Sequence, residues 1–465
     1  MTAPSRTLHI GIVCDYDFTL LPNSGIGVFV YNLIEGLLTL TPRPQITLLA
    51  NPGDQEKLKD WAQRRSDRVT ISPSLEQGKT VRVRLERLVR YWDQRCLSVQ
   101  DVIRTGCGRL ATSWVSETIV FPIHLAHRVF QKMSAIISPL KTRVAAAGCD
   151  VWLVPFPGTR EPILAPHVLV IFDMVFRHVP EVYSAQKRKH AECLFAARAR
   201  QATLIYCGSN FVKEHDLVPS FPFAADRIRV FRLAPPMDLR SEGVILDRTN
   251  LCRKYGIGNE FLFYPAGLRA HKNHSTLVRA LRLLRQNYGH RALELVLTGE
   301  ERQSRDLLRL VQSEGLTEHV HFLGLISRQD VQAFYQHALL VPLPSLHEGY
   351  GLPLLEALQS QCPIVCADIP AFRELLDDQA DAVLFFDRYD AESMAQAISH
   401  TIARRAEIRD RQREAFRRIA RRDWQAVAQD FLQILEEAYH LSAESSHPSS
   451  TTFGMAPEKT IHHAA

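Results

Sequence analysis

ALLVPLPSLHEGYGLPLLEALQSQCPIVCA, residues 338–367, is the stretch whose pattern decides the architecture. An apolar run, ALLV at 338–341, leads into a loop holding Gly349 and Gly351, and Pro353 falls in the first turn of the helix that follows. PIVCA at 363–367 is a second apolar run. Strand, glycine loop, helix and strand in that order mark an α/β protein built on a parallel sheet. Ligands of such sheets bind beyond the carboxyl ends of the strands, so the loop is where chemistry belongs. Glu348 lies on that loop and Glu356 on the opening turn of the helix. The glycines leave backbone N–H groups free near a helix N-terminus, where an anion is favoured. Two carboxylates can bind hydroxyl groups while backbone amides hold a phosphate.

The same alternation runs outward in both directions. Toward the N-terminus the strands are expected at 8–13, 46–50, 168–172, 203–207 and 228–232, and Val30, Leu33, Ile34, Leu37 and Leu38 recur at helical steps after the first. A second set is expected at 261–264, 293–297, 320–324, 338–341, 363–367 and 383–386. Two doubly wound units of similar size, joined near residue 240, fit this pattern better than one continuous sheet. Residues 1–240 and 241–442 are the expected units, with a polar tail at 443–465 that lacks apolar periodicity and is expected to be disordered.

The chain has 465 residues, 46% hydrophobic and 23% charged, which excludes fibrous and mostly disordered classes. No stretch reaches the roughly 18 apolar residues of a spanning helix, and no signal-peptide core opens the chain, so a cytoplasmic protein is expected. Nine cysteines without C-x-x-C spacing point to reduced, buried thiols rather than disulfides or zinc. The net charge of +6 is uneven: residues 79–146 hold twelve Lys/Arg against Glu86, Asp93, Asp101 and Glu117. This helical insertion presents either a solvated basic face or a surface for an anionic membrane or acceptor. No nucleic-acid partner is expected.

Further motifs carry chemistry. In YPAGLRAHKNHSTLVRAL, 264–281, a loop between strand and helix aims Arg269 and Lys272 at the cleft. An ammonium there neutralises a diphosphate leaving group, a charge-assisted bond of about 1.5–3 kcal/mol. In NSGIGVFVYNLIEGL, 23–37, Gly25 and Gly27 let the backbone approach a phosphate ahead of a helix, although Val30 breaks the dinucleotide fingerprint. Asp173 follows a buried strand and either binds or deprotonates an acceptor hydroxyl or caps a helix or turn. Ser209 reads as an N-cap, His178 as a residue that either lines the cleft or is structural, and His271 and His274 as capping and packing groups. Gly299 permits close approach of a nucleotide, with Glu300 near the ribose or base. Asp15-Tyr16-Asp17 has the D-x-D form of a metal-bound diphosphate site, but lysine and helix dipoles already serve the phosphates, so no metal and no cofactor is expected.

The segment S-x-x-E-G-x-G-L-P-x-x-E-A, with Glu348 and Glu356 as its E-x7-E pair, resembles the retaining family 4 glycosyltransferases of GT-B fold, and H-K-N-H at 271–274 is similar to their lysine motif. The resemblance implies two Rossmann-like domains facing each other across a cleft: an acceptor unit at 1–240, carrying the basic insertion, and a nucleotide-sugar unit at 241–442, whose last helices pack back on the first. It implies that Glu348 contacts the donor sugar, that Glu356 binds the ribose, and that Arg269, Lys272, Gly299, Gly349, Tyr350, Gly351 and Leu352 line the donor site. Gly25 and Gly27 resemble the glycine loop of the acceptor domain, although Val28 stands where an arginine is common, and Phe172 replaces the histidine often found before Asp173. The expected activity is metal-independent transfer of a mannose- or glucose-type hexose from a nucleoside-diphosphate sugar to a glycan, lipid-linked or polysaccharide acceptor. Glu348, Lys272 and Asp173 are the expected catalytic residues. The rivals are a GT-B epimerase or hydrolase and a non-catalytic sugar-nucleotide-binding scaffold. Base, sugar, acceptor and oligomeric state stay open at this point.

Overall fold

A computed structural model describes residues 7–14, 25–50, 55–72, 147–158, 163, 165–236, 245–299 and 305–446. The basic insertion at 79–146, Asp15 to Asp17, Glu300 and the tail beyond Ser446 lie outside the described residues.

The first unit is a seven-stranded sheet of β1 (His9–Cys14), β2 (Gln45–Ala50), β3 (Val69–Ile71), β4 (Val151–Val154), β5 (His167–Val170), β6 (Leu204–Cys207) and β7 (Ile228–Val230). Its order is β3-β2-β1-β4-β5-β6-β7, and every neighbouring pair is parallel. Parallel sheets bury both faces, which is why β4, β5 and β6 are buried at every residue. Two strands, β3 and β4, are absent from the sequence expectation. β3 is only three residues long, and β4 is a four-residue run at the end of the basic insertion; yet β4 sits at the centre of the sheet between β1 and β5. Gly11 on β1 has no side chain because a Cβ there would lie 2.4 Å from the Trp152 ring on β4.

The second unit holds β8 (Phe261–Tyr264), β9 (Glu294–Leu297), β10 (Val320–Phe322), β11 (Val341–Leu343), β12 (Ile364–Ala367) and β13 (Leu384–Phe386). β10-β9-β8 and β11-β12-β13 join through Phe263 N–H to Leu340 O at 3.2 Å and Leu339 N–H to Phe261 O at 2.9 Å. The combined order β10-β9-β8-β11-β12-β13 again reverses beside the unit's first strand, β8. ALLV at 338–341 therefore divides its bonds, its first half pairing with β8 and its end opening β11. Both units have a topological switch point, the first between β1 and β4 and the second between β8 and β11, where doubly wound sheets open a ligand crevice.

The C-terminal helix, Trp424–Ser446, leaves the second unit and packs against the first. Phe431 is fully buried among Phe29, Tyr206 and Phe231, with ring centroids 5.3, 4.6 and 4.8 Å away. Trp424 Nε1 donates to Pro235 O at 2.7 Å. Gly36 permits this approach, since a Cβ there would lie 2.2 Å from Trp424 O. The helix continues through Ser446, past the expected start of the tail at 443, because the apolar positions Phe431, Ile434, Leu435 and Ala438 give its earlier turns a core to bind. Among the described residues seven cysteines are free; Cys193 is exposed rather than buried, since the helix Ala185–Gln201 turns it outward. No described helix is long and apolar enough to cross a membrane.

Candidate active site

The loops that follow β8 and β11 flank the second unit's switch point, and hydrogen bonds tie them together. The first ends in a 3-10 turn, Ala270–Lys272, followed by Asn273 in the left-handed region at φ 57°. Asparagine tolerates that conformation, and its side chain donates to Pro344 O at 3.1 Å and Arg388 O at 2.7 Å while accepting from Thr276 Oγ1 at 2.7 Å. Leu346 N–H donates to His271 O at 2.8 Å. Lys272 is thereby held against Glu348: Nζ donates to Oε1 at 2.6 Å, and Ser345 Oγ donates to the same oxygen at 2.7 Å. Tyr264, at the end of β8, donates to Lys272 O at 3.1 Å and lies 3.2 Å from Ser345 Oγ.

Burial disfavours charge on Glu348, but Lys272 and the Ser345 hydroxyl outweigh it and hold the carboxyl below its ordinary value. Burial, followed by the Lys272 charge, pushes His271 down to about 4, so this imidazole is neutral near pH 7. Glu356 stands one turn deeper than expected, in the second turn of the helix Leu352–Gln359 rather than the first. Its Oε2 accepts from Tyr335 OH at 3.3 Å, and burial raises it to about 7 in spite of Tyr335 and Arg328. Gly351, at φ 103°, turns the chain into that helix.

The first unit meets this loop directly. Asp173 follows β5; its Oδ1 accepts from Val175 N–H at 3.1 Å, so the turn-capping role is realised. Burial raises its carboxyl, with the Val175 N–H, His271 and Lys272 opposing and Glu348 reinforcing the rise. A Cβ on Gly349 would lie 1.9 Å from Phe172 O and 3.0 Å from Asp173 Cβ, so only glycine lets the two units close here. Ser209 caps as expected, accepting from Val212 N–H at 3.3 Å, and also donates across the units to Gly349 O at 2.9 Å. Glu374 of the second unit accepts from Asn210 N–H at 2.7 Å and Phe211 N–H at 2.9 Å of the first.

Not every expected site residue faces the crevice. Tyr350 packs its ring against Gly208 and donates to Leu233 O at 2.7 Å, so its side chain serves the contact between units rather than a donor. The phenol is too long to fold back beside its own glycines, and a carbonyl lies within reach across the boundary. Leu352 is buried in the core. Arg269 is exposed at the lip of the loop. Gly299, at φ 135°, packs against Gly267 and Leu268, which brings the loops after β8 and β9 into contact. Gly25 opens the helix Gly25–Thr39 into free space, and Gly27 is buried one step inside it. Ser345, Tyr264 and Arg328 escape the sequence expectation. Only Ser345 had a signal, three positions before Glu348 in the S-x-x-E segment. Arg328 sits 5.6 Å over the Tyr31 ring of the first unit.

Parallel sheets with switch-point loops, a lysine–carboxylate pair and a facing second sheet define the class. Residues 247–423 match the family described as Glycosyl transferases group 1. It is 26% identical over 239 residues to the O-antigen chain mannosyltransferase B of Escherichia coli, a match covering 50% of this chain and 61% of that protein. The chain thus spans less than two thirds of that relative, and 24% of a serotype-specific mannosyltransferase WbdA of the same organism. Among solved structures it is similar to sucrose-phosphate synthase of Thermosynechococcus elongatus, with TM-score 0.62 and 14% identity over 94% of this chain and all of that one. It also resembles HepE of Anabaena in complex with UDP and glucose, with TM-score 0.55 and 16% identity over 95% of this chain and 100% of that one. These likenesses establish the α/β GT-B architecture of two Rossmann-like units.

Proposed function

We propose that this protein is a retaining hexosyltransferase that moves mannose or glucose from a nucleoside-diphosphate sugar to a glycan acceptor. The observation that carries the proposal is the Lys272–Glu348 pair at the second unit's switch point, 2.6 Å apart and facing Asp173. The names of the relatives, mannosyltransferases of O-antigen chains, support the sugar and the acceptor class, and the UDP and glucose held by HepE support the donor class. In this scheme residues 241–442 hold the donor and residues 1–240 the acceptor.

Transfer breaks the bond between the anomeric carbon and the diphosphate and forms one to the acceptor oxygen. Negative charge grows on the leaving diphosphate while the sugar becomes oxocarbenium-like. Lys272 and the backbone amides around Gly349 to Gly351 stabilise that charge, which is worth most in a water-excluded cleft. Glu348, kept ionised by Lys272 and Ser345, accepts hydrogen bonds from the donor sugar, and Glu356 serves the ribose. No carboxylate is placed as a covalent nucleophile in this scheme. The acceptor attacks from the face the diphosphate leaves, and a phosphate oxygen takes the hydroxyl proton, with Asp173 orienting the acceptor. The diphosphate needs no divalent ion here because Lys272 and the amides supply the positive field.

Donor turnover tests this. Purified protein is given GDP-mannose or UDP-glucose and a glycan acceptor without added magnesium or manganese, and the product anomer is read by NMR. Lys272→Ala and Glu348→Ala are expected to lose at least ~100-fold in turnover. Turnover by both variants at the wild-type rate refutes the assignment of the site, and an inverted product refutes retention.

A further inference from the structure

The cleft edge away from Glu356 holds an aromatic side chain that the scheme above leaves without a role. Glu356 is bonded to Tyr335, on the helix Arg328–His337 that follows β10, so in that scheme the nucleotide end of the donor points toward the β10 edge of the second sheet. β13 is the other edge strand, and the loop after it carries Arg388 and Tyr389. That loop is tied to the loops of both Lys272 and Glu348: Arg388 O accepts from Asn273 Nδ2 at 2.7 Å, and Arg388 Nη1 donates to Leu346 O at 2.8 Å. Tyr389 N–H donates to Asp387 Oδ1 at 2.8 Å, and its hydroxyl crosses to the first unit, donating to Glu181 Oε1 at 3.2 Å.

Two observations separate this contact from ordinary packing between units. Tyr350 also bridges the units through its hydroxyl, and it is 6% exposed, whereas Tyr389 is 58% exposed. A ring that only joined the units would be covered, because apolar area left in water contributes nothing to their contact. Tyr389 is nonetheless fixed at both ends, by its N–H and its hydroxyl, and the Arg388 guanidinium carbon lies 5.2 Å from its ring centroid. Its partner across the boundary, in turn, borders the reacting groups. Glu181 belongs to the 3-10 turn Pro180–Val182, and the half-buried Tyr183 follows it. Burial raises the Tyr183 phenol, Asp173 adds to the rise and Arg269 opposes it, so this turn stands beside the carboxylate that orients the acceptor in the proposed scheme.

We propose that Tyr389 is the platform on which the terminal sugar ring of the acceptor lies, a neutral pyranose whose apolar C–H face covers the exposed phenol ring. Aromatic faces carry negative potential that attracts the slightly positive C–H groups of a sugar, and tyrosine offers this area at low entropic cost because only two torsions are fixed. Glu181 and Arg388 border the platform as hydrogen-bond acceptor and donor for the sugar's hydroxyls, the mix of aromatic area and few polar groups typical of ligand sites. Asp173 then meets the attacking hydroxyl, while Tyr389 decides which ring presents it. Tyr389 touches no bond that breaks, so it sets specificity for the acceptor and not the cleavage of the donor. Its role toward an acceptor rests on the transferase reading, whereas its grip on a sugar ring does not.

Sugar binding is measured first, without a donor. The full chain is mixed with methyl α-mannoside or methyl α-glucoside, and saturation of the protein's aromatic protons is followed by NMR into the C–H protons of the sugar. Wild type is expected to pass saturation to at least one of the two. Tyr389→Ala is expected to weaken binding at least ~10-fold, and Tyr389→Phe, which keeps the ring but drops the bond to Glu181, to restore it to within ~3-fold of wild type. Melting temperatures report whether each variant folds. No saturation transfer in wild type overturns the proposal. So does folded Tyr389→Ala binding as tightly as wild type, since the sugar is then held elsewhere, and so does Tyr389→Phe binding as weakly as the alanine variant, since the Glu181 bridge is then the determinant. In donor turnover, Tyr389→Ala should raise KM for the acceptor and spare KM for the nucleotide sugar. Tyr389-dependent sugar binding without any turnover refutes the transferase assignment and leaves the platform standing.

Discussion

Replacing Gly349 by alanine probes how closely the two units must approach. The added Cβ would lie 1.9 Å from Phe172 O, and real Cβ atoms do not come within 3.0 Å of such an atom. The two nearest atoms, Phe172 O and its carbonyl carbon, are backbone, so neither swings aside, and the units must separate by about 1.1 Å, the difference between those distances. The φ of Gly349 lies outside the left-handed region, so the cost is the collision and not the backbone conformation. The Ser209 Oγ bond to Gly349 O, now 2.9 Å, stretches beyond useful length and forfeits about 1 kcal/mol. Misplacing reacting groups by about 1 Å costs on the order of 100-fold in rate. Gly349→Ala should therefore melt within a few degrees of wild type and still turn over donor at about one hundredth of its rate. Initial rates at saturating donor and acceptor, with circular dichroism melts alongside, provide the comparison. A variant that turns over within threefold of wild type refutes the idea that this contact sets the register of the site.

Acid should destabilise the fold through its buried imidazoles. His167 and His274 are buried and held down to about 4 and about 3, burial being the main cause in each. His271 and His347 are held down to about 4 in the same way, so near pH 5 the unfolded chain, whose imidazoles titrate near 6.5, binds nearly four more imidazole protons than the folded one; Glu356, raised to about 7, offsets about one of them, and stability falls as pH drops from 6.5 toward 4. The net slope near pH 5 is roughly 4 kcal/mol per pH unit, and denaturant melts at pH 7, 6 and 5 measure it. His167→Asn should lower it by about 1.2 kcal/mol per pH unit; an unchanged slope removes His167 from the account. Phe431→Ala should cost about 3–5 kcal/mol in guanidinium unfolding, since its ring fills the slot between Phe29, Tyr206 and Phe231. A loss under 1 kcal/mol would show that the C-terminal helix is not anchored there. The +8 carried by residues 79–146 predicts that the protein sediments with anionic liposomes at low salt and is released at high salt. No lipid-dependent pelleting at low salt refutes it.

Local signals made much of this molecule legible. Gly349, Gly351 and Pro353 announce a strand-to-helix loop because each solves a backbone problem that few other residues solve. Lys272 and Glu348 were found separately, 76 positions apart, and their ion pair follows from both loops flanking one switch point. Position within the fold was harder to read. β4 is as apolar as its neighbours, but nothing local shows that it returns to the sheet centre after a long insertion. Tyr350 sits inside the glycine motif, and only the placement of Leu233 reveals that its hydroxyl leaves the site.

The C-terminal helix bears on how the molecule opens. Because Trp424–Ser446 returns to the first unit, the backbone passes between the halves twice, once after Pro236 and again ahead of Trp424. A body on one tether tumbles freely, whereas a body on two swings about the line through its attachments. Breathing of the cleft is thus reduced to a single door-like arc. Severing the chain ahead of Trp424 would convert that hinge into a loose string.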